Sequence, residues 1–299
     1  MSSVDELDRP ASALAVHRSR KRISLFRLHR PANVADANRL LADYPSAHVV
    51  AGGIDVINRL KCGETIEDVV SIGHLSSLRR IDFANGILQV GAVCTHHDLA
   101  TSAVVRRTIP ALALQWGRIA NPRIRFKGTV GGNLMARHPD YEGAALLAAA
   151  GATLRYTTPH GGRIVSCAEH FAAACDVSGW LLEGVEVHCE RDLRIEYDRS
   201  HTGVAGVVLG LTLDGNWIVG ARTATTWAYA HLHCAELPVA RMPVAALLSE
   251  ARALAADWAS ALPEPVTNHL ASNRYRRRIL EVQLRRALEK AGNVNPTCL

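Results

Sequence analysis

Two Gly-Gly pairs, one directly after Val49–Ala51 and one directly after Val130, restrict the fold of this chain more than any other feature. We name residues 49–56 (VVAGGIDV) the first glycine segment and residues 128–134 (GTVGGNL) the second glycine segment. Glycine allows left-handed turns and lets a ligand or another backbone come close. Successive amides that point the same way form a nest for an anion such as phosphate. Each pair alone is compatible with a plain turn, but together they suggest two sides of a pyrophosphate site.

The two commonest nucleotide-binding fingerprints are absent from the sequence. Neither glycine segment has the G-x-G-x-x-G pattern of dinucleotide-binding folds or the lysine of a phosphate-binding P-loop. The second segment adds Thr129 and Asn133, which supply a hydroxyl and an amide. Any nucleotide site in this chain therefore has to be built differently from these two types.

The hydrophobic periodicity predicts a mixture of short strands and helices. A strand, a turn and a helix are expected within 26–44, further strands at 48–51, 69–72, 185–188 and 193–197, hairpins around Asn85-Gly86, 159–162 and 214–216, and helices at 98–107, 110–119, 143–150, 243–257 and 274–290. These elements lack the regular βαβ alternation of a doubly wound fold, so an α+β class is predicted.

Composition and charge exclude several classes of protein. The 299 residues are 48% hydrophobic and contain no apolar run of about 18 residues, so no membrane span is expected. Seven cysteines occur without any C-x-x-C pair, which disfavours a disulfide framework, a zinc site or an iron–sulfur site and favours a cytoplasmic location. The net charge of +6 does not by itself indicate a nucleic-acid-binding protein, because only 5% of the residues are aromatic and could stack on bases.

Basic residues and histidines form local clusters in the sequence. The charge excess lies at 17–30 and 274–286 and is expected to make solvent or partner contacts. His96 and His97 are adjacent at a predicted helix start, where neighbouring side chains point about 100° apart, so a shared metal ion is not expected. Thr95 is the predicted N-cap of that helix. The motif His231-x-His233-Cys234 lacks a fourth ligand nearby, and no metal is expected there either.

Several segments together resemble the FAD-binding medium subunit of the molybdenum hydroxylases, the flavoprotein family of xanthine dehydrogenase and carbon monoxide dehydrogenase. They are FRLHRPANVADANRLL, VVAGGIDVINRLK, VGAVCTHHDLATSAVVRRTIPAL, the signature ANPRIRFKGTVGGNLMARHPDYEGAALLAA and SNRYRRRILEVQLRRAL near the C-terminus. The resemblance runs from about residue 26 to residue 288.

The resemblance implies an α+β architecture: a two-subdomain FAD-binding fold of the PCMH type followed by a small α+β C-terminal domain. The corresponding limits are an N-terminal arm at 1–22, FAD-binding subdomains at 23–72 and 73–197, and the C-terminal domain at 198–299.

The same resemblance implies a set of FAD-binding residues. They are Ala51, Gly52, Gly53, Ile54 and Asp55 on one side of the pyrophosphate, Thr129, Gly131, Gly132 and Asn133 on the other side, and Asn121, Glu142 and Tyr197 nearer the sugar or the flavin. Arg125 is expected to brace the second glycine segment. The sequence departs from the family at two positions: Glu142 stands where aspartate is usual, and the basic residue near the flavin is displaced to Arg199, with His201 as a substitute.

By resemblance, the chain is the FAD-dependent oxidoreductase subunit of a multi-subunit molybdenum hydroxylase. Noncovalent FAD would receive electrons from [2Fe-2S] clusters on a small partner chain, after a large partner chain with the molybdenum cofactor oxidises the substrate. No side chain of this subunit need be catalytic, and a dimer of heterotrimers is expected. Two alternatives stay open: a stand-alone FAD-dependent oxidase or dehydrogenase of a small molecule, and a scaffold without flavin.

Overall fold

Three β-sheets and eleven α-helices make up the residues described by the computed structural model, which are 23–172, 174–201 and 203–293. The predicted N-terminal arm at 1–22 lies outside this description, as does Cys298. No helix in the described ranges is both long enough and apolar enough to cross a bilayer.

The first sheet is small and parallel. Its elements follow the chain as β1 (Arg27–His29), α1 (Val34–Asp43), β2 (His48–Val50), α2 (Ile54–Lys61) and β3 (Asp68–Ser71). The strand order is β1-β3-β2, with β3 in the centre. Parallel strands need crossover connections, and α1 and α2 supply them. The first glycine segment is therefore the connection between β2 and α2.

The second sheet is antiparallel, with the strand order β4-β5-β8-β6-β7. Its strands are β4 (Ile81–Ala84), β5 (Ile87–Gly91), β6 (Thr153–Thr158), β7 (Gly161–Ser166) and β8 (Leu181–His188). Asn85 and Gly86 join β4 to β5 with φ values of 52° and 74°. Both residues are left-handed, as a two-residue hairpin of this kind requires, so the predicted hairpin is confirmed.

Seven short helices lie between β5 and β8 along the chain. They are α3 (His96–Thr101), α4 (Ala103–Thr108), α5 (Pro110–Trp116), α6 (Pro122–Arg125), α7 (Val130–Met135), α8 (Glu142–Ala149) and α9 (Cys167–Phe171). Every residue of α8 is buried, as expected for a helix that is apolar on all sides. The second glycine segment, predicted as a loop, mostly forms the short helix α7.

The prediction of one continuous helix at 98–107 is wrong. The chain breaks at Ser102, which has a ψ of 124° and ends α3. The Ser102 hydroxyl then accepts a hydrogen bond from the Val105 amide and begins α4. Serine competes with the helix in this way because its side chain can satisfy a free backbone donor.

The third sheet has the strand order β12-β11-β10-β9, with a short β13 paired to β11. The strands are β9 (Asp192–Arg199), β10 (Gly206–Asp214), β11 (Trp217–Thr226), β12 (His233–Leu237) and β13 (Met242–Pro243). Helices α10 (Leu247–Ala261) and α11 (Asn273–Asn293) pack together, and their apolar side chains share one core with β10 and β11. The predicted helix at 243–257 starts later than expected, because a 3-10 turn occupies Val244–Ala246.

The predicted limit between the second subdomain and the C-terminal domain falls inside β9. This strand pairs with β10 from Asp192 to Arg199, so its backbone belongs to the third sheet. We propose that the limit lies in the turn between β8 and β9, near residue 190. The two domains then each keep a complete sheet.

Candidate functional site

A single long cavity of about 880 Å³ brings both glycine segments together. Its volume is in the upper part of the range for small-molecule sites. The walls come from β2 of the first sheet, the end of β9 in the third sheet, and the helices and connections near them. Its lining includes Leu41, His48, residues 49–56, Arg59, His96, Ile119, Ala120, Ile124, Gly128, Thr129, Gly132, Asn133, residues 140–143, residues 177–180, Arg199 and Trp227. The sequence thus places residues almost 190 positions apart around one space.

The first glycine segment presents the N-terminus of α2 to the cavity. Gly53 is the N-cap, with a left-handed φ of 79° and no side chain to cap the helix. The first amides of a helix have no acceptor within the helix, so they are available to an anion. Asp55 stands in this first turn, 3.8 Å from Arg59 and 3.4 Å from the Tyr141 hydroxyl. This segment therefore lines the cavity with a helix start that has no side-chain cap.

The two glycine segments meet through their backbones. A Cβ added to Gly52 would lie 1.6 Å from the carbonyl oxygen of Lys127, the residue before the second segment. No side chain fits at that distance. Gly52 is therefore required for the close approach of two chain segments, whatever its role towards a ligand.

The second glycine segment uses its amides internally. Thr129 is the N-cap of α7, and its hydroxyl accepts a hydrogen bond of 3.0 Å from the Gly132 amide. The Gly131 amide donates to the Ala92 carbonyl at 2.8 Å, and the Asn133 amide donates to the Thr129 carbonyl at 3.0 Å. Of the predicted residues here, Thr129, Gly132 and Asn133 line the cavity.

Gly131 does not line the cavity, which corrects the sequence prediction. Gly131 is buried, and a Cβ added to it would lie 2.8 Å from the Ala92 Cβ and 2.8 Å from the Ala92 carbonyl oxygen. Its amide is already bonded to that carbonyl. Gly131 is thus a packing glycine that seats α7 against the chain after β5.

Asn133 connects the second segment to α8. Its Oδ1 accepts a hydrogen bond of 2.9 Å from the Ala144 amide in the first turn of α8. Gly143 lies close by, because an added Cβ there would be 2.9 Å from the same oxygen. With Oδ1 occupied, the Nδ2 group is the part of Asn133 left to donate to a ligand.

Glu142, Tyr197 and Arg199 form one cluster. Glu142 is the first residue of α8 and is 8% exposed. Its Oε1 accepts from the Tyr197 hydroxyl, and Nη1 of Arg199 lies 2.5 Å away. Burial and the neighbouring carboxylate raise the pKa of Tyr197. Glu142 and Arg199 line the cavity, whereas Tyr197 lies behind Glu142 and does not.

The segment before the second glycine segment is held by Arg125. Asn121 is exposed and is the N-cap of α6, where its side chain accepts a hydrogen bond of 3.0 Å from the Ile124 amide. The sequence predicted Asn121 at the cofactor, but it does not line the cavity. The Arg125 guanidinium donates to the carbonyls of Ile119 and Ala120 at 3.0 and 2.9 Å. Arg125 therefore braces this neighbouring segment, where the sequence suggested the second glycine segment itself. Ala120 is left-handed, with a φ of 50°.

The histidine motifs have structural environments. Thr95 is the N-cap of α3 in a capping box with Asp98, as predicted. The centre of the His97 ring lies 4.2 Å from that of Phe126, and the centre of the His233 ring lies 4.9 Å from that of Tyr229. Within the described ranges, no group of three or more His, Cys, Asp or Glu residues is arranged to hold a metal ion.

A family comparison agrees with the geometry of the cavity. The model of the family described as "FAD binding domain in molybdopterin dehydrogenase" matches residues 24–187, more than half of the chain. The chain belongs to this family. The predicted family and the predicted α+β FAD-binding fold are confirmed, and so is the prediction of a FAD-dependent oxidoreductase subunit.

Individual relatives of this FAD-binding family extend the similarity along the chain. The carbon monoxide dehydrogenase medium chain of Afipia carboxidovorans is 29% identical over 286 residues, which are 89% of this chain and 96% of the relative. The xanthine dehydrogenase FAD-binding subunit of Escherichia coli O157:H7 is 36% identical over 139 residues, 46% of this chain and 48% of the relative. A crystal structure of quinoline 2-oxidoreductase from Pseudomonas putida 86 superimposes with a TM-score of 0.77 at 25% identity, covering 91% of this chain and 98% of that one.

Sequence reasoning missed three large side chains that line the cavity of this FAD-binding chain. His96 is buried, its Nδ1 has no hydrogen-bond partner among the described residues, and burial lowers its pKa to about 4. Trp180 packs edge-on against Tyr156. Trp227 has a left-handed φ of 59°, a strained conformation for a bulky residue, and lies against Gly203 and Gly206. The two tryptophans carry no local motif, so only the assembled fold reveals them.

Proposed function

We propose that this chain binds FAD noncovalently in the cavity and carries electrons between partner chains and an acceptor. The observation that supports this proposal most strongly is the junction of the glycine segments, where the α2 N-terminus faces Thr129, Gly132 and Asn133 across one space. FAD accepts electron pairs and hands them on, and the protein supplies position and electrostatics. The family membership of residues 24–187 supports the same cofactor.

The pyrophosphate of FAD is expected at the N-terminus of α2. The free first-turn amides and the positive end of the helix dipole both attract phosphate oxygens. Gly53 fits this role because it has no Cβ and is left-handed. On the opposite wall, Gly132 is exposed to the cavity, and Thr129 and Asn133 flank it. We propose Ala51, Gly52, Gly53, Ile54 and Asp55 as the residues that contact the pyrophosphate most closely.

Glu142 is the proposed partner of a hydroxyl of the cofactor. Its Oε1 is occupied by Tyr197 and Arg199, which fix the carboxylate in place. The second oxygen, Oε2, is then the atom left to accept a hydrogen bond from a sugar or ribityl hydroxyl. Tyr197 is a positioning residue in this arrangement, Gly131 seats α7, and Asn121 caps α6. The chain moves no proton through a dedicated acid or base.

The two sequence departures that favoured other functions form one contact. The extra methylene of Glu142 and the shifted position of Arg199 bring their charged groups to 2.5 Å. A longer acid paired with a displaced base keeps a cation and an anion at the cavity. This coupled arrangement argues for a retained cofactor site rather than a scaffold without flavin.

We propose that the partners are a large chain with the molybdenum cofactor and a small chain with [2Fe-2S] clusters, assembled as a dimer of heterotrimers in the cytoplasm. Relatives named as medium chains or subunits of dehydrogenases support the division into chains. Among the described residues, the cysteines are unpaired, which supports a reducing compartment.

Comparing FAD with riboflavin tests the site without any mutation. The chain, purified with its partners, is stripped of flavin, and the binding of both compounds is measured by calorimetry. Riboflavin lacks the pyrophosphate, so we expect its affinity to be lower by at least about a hundredfold, because charge-assisted hydrogen bonds contribute about 1.5–3 kcal/mol each. Equal affinities would contradict the proposed phosphate site. Failure to take up FAD at all would contradict the proposed function.

A further inference from the structure

A long stretch around the second glycine segment contains no acidic residue. From Leu99 to Pro139 the sequence has no Asp or Glu, but it has seven Lys and Arg residues. This excess is not among the basic clusters at the two ends of the chain. Its location matters because the same stretch supplies one wall of the FAD cavity.

The exposed side of this wall is basic with one aromatic residue. Arg118, Arg123, Phe126 and Lys127 are all exposed, and we name this group the basic rim. Phe126 is 58% exposed, and its ring contacts that of His97 at an interplanar angle of 35°. Phe126 thus adds one apolar contact point among the cations of the rim.

The inner side of the same segment faces the proposed cofactor. Ile119, Ala120 and Ile124 line the cavity, and they alternate in sequence with the residues of the rim. Ala120 is itself exposed, so the cavity opens to the surface at this point. A protein seated on the basic rim would therefore lie within one chain thickness of whatever occupies the cavity.

The charges of the rim are not neutralised within the described residues. None of Arg118, Arg123 and Lys127 lies within 4.0 Å of a carboxylate there, whereas basic residues of α11 do, in pairs such as Arg278–Glu281 at 2.8 Å and Arg286–Asp198 at 3.7 Å. Four of the seven basic residues of α11, the helix that the sequence marked as a partner contact, are thus paired. The three rim cations, in contrast, have no ion-pair partner within 4.0 Å among the described residues.

This chemistry indicates the kind of partner. Cations around one aromatic residue, with no acid among them, complement an acidic patch and accelerate its approach. Permanent subunit interfaces are instead depleted of charge at their core, and small charged interfaces are typical of transient electron-transfer encounters.

We propose that the basic rim is the docking surface for an acidic one-electron carrier protein, which is the electron acceptor of this subunit. The inference rests on the proposed function, since it requires flavin in the cavity. Two carrier molecules each take one electron from a flavin reduced by two electrons, and the protons of that flavin return to water. The carrier is the oxidant, and no bond forms between it and the chain.

The test uses the native complex with its flavin content measured first. The complex is reduced photochemically and mixed in a stopped-flow instrument with either an acidic or a basic c-type cytochrome, whose haem absorbance reports reduction. We expect the acidic cytochrome to react faster at low ionic strength and its rate constant to fall as salt is added. The double variant Arg123→Glu/Lys127→Glu should lower that rate constant by at least about tenfold and reverse the salt dependence.

The matched control changes the same charge elsewhere. Arg252→Glu/Arg274→Glu alters two exposed arginines of the C-terminal domain that pair with no carboxylate in the described ranges, and it should change the rate only slightly. Equal effects of the two double variants, or no effect of either, would overturn the proposal. Loss of the partner chains from the rim variant alone would overturn it too, by making the rim a permanent subunit contact. A native complex without flavin contradicts the proposed function and, with it, this inference.

Discussion

The two glycine segments look alike in sequence and differ in what their backbones do. In the first segment, Gly53 begins α2 without a side-chain cap, and the first-turn residues line the cavity. In the second segment, the amides of Gly131, Gly132 and Asn133 already donate to acceptors inside the protein. The first segment is therefore suited to binding an anion. The second mainly positions a wall opposite it.

The difference shows that a glycine pair has two separate physical uses. Gly53 is needed for a left-handed turn beside a ligand site, whereas Gly131 is needed because Ala92 leaves no room for a Cβ. Both uses leave the same letters in the sequence. Only the partner of each amide tells them apart.

The largest expected effect comes from separating the two segments. Gly52→Ala places a Cβ 1.6 Å from the Lys127 carbonyl oxygen, so the backbones have to move apart. We expect the free energy of unfolding to fall by more than about 3 kcal/mol, at or beyond the usual cost of overpacking, and flavin to be lost. Urea unfolding and flavin content per chain measure both. Gly162→Ala is the control, because its added Cβ would come no closer than 3.9 Å to other atoms. Wild-type stability of Gly52→Ala would contradict the close contact between Gly52 and the Lys127 carbonyl.

Acid should weaken the second segment before the first. His96 packs against Gly128, and His170 lies within hydrogen-bonding distance of the Leu134 carbonyl in α7, at 3.1 Å. Burial lowers the pKa of both to about 4, below the value of about 6.5 expected in the unfolded chain. The unfolded state then binds more protons between these values. The contribution of each neutral histidine to the free energy of unfolding is therefore complete above pH 6.5. It is lost as the pH falls towards 4, by up to about 3 kcal/mol for each histidine.

Urea unfolding at pH 7 and pH 4.5 measures this loss. Amide hydrogen exchange compares α7 with α2 at both values. The variant His170→Gln keeps an amide able to donate to Leu134 but does not titrate, so its stability should depend less on pH. If α2 opens before α7 in acid, the assignment of the pH effect to the second segment is incorrect.

A smaller effect is expected where the second segment reaches Glu142. Asn133 bonds to the first turn of α8, which begins at Glu142. Glu142→Asp shortens the side chain, so the carboxylate cannot keep both Tyr197 and Arg199. We expect a loss of about 1–3 kcal/mol, limited because Arg199 is half exposed. Urea unfolding of Glu142→Asp and of Glu142→Gln, in which Arg199 loses its ion-pair partner, measures this loss. Wild-type stability of both variants would contradict this contact.

Local sequence patterns predicted most of the secondary structure correctly. The hairpin at Asn85-Gly86, the cap at Thr95 and the apolar stripe of α11 were predicted correctly, because each depends on residues close together in the chain. The break at Ser102 was missed, since a serine within a helical pattern usually faces solvent and only its actual ψ makes it a cap. Short-range chemistry was therefore readable, and competition between two local options was not.

The site could be predicted as a set of segments but not as a set of contacts. The position of the first glycine segment follows from the strand before it and the helix after it. That Gly131 is a packing residue depends on Ala92, and that Arg125 holds Ala120 depends on a left-handed turn. No sequence pattern predicted that Trp227 lines the cavity, because it follows β11 of the third sheet and reaches the cavity only in the folded chain. Such contacts depend on tertiary approach, which residue patterns do not encode.

The smallest expected effect concerns the hydroxyl of Thr129. In the structure this hydroxyl caps α7 by accepting from the Gly132 amide. Thr129→Val keeps the shape and removes the cap, so we expect the free energy of unfolding to fall by about 1 kcal/mol while FAD affinity changes little. Thr129→Ser retains the oxygen and should restore most of the stability. Should Thr129→Val instead lower FAD affinity more than about tenfold, equivalent to about 1.4 kcal/mol, at unchanged stability, the hydroxyl contacts the cofactor directly. The second segment would then bind the pyrophosphate as the first does, and the distinction between the two segments would disappear.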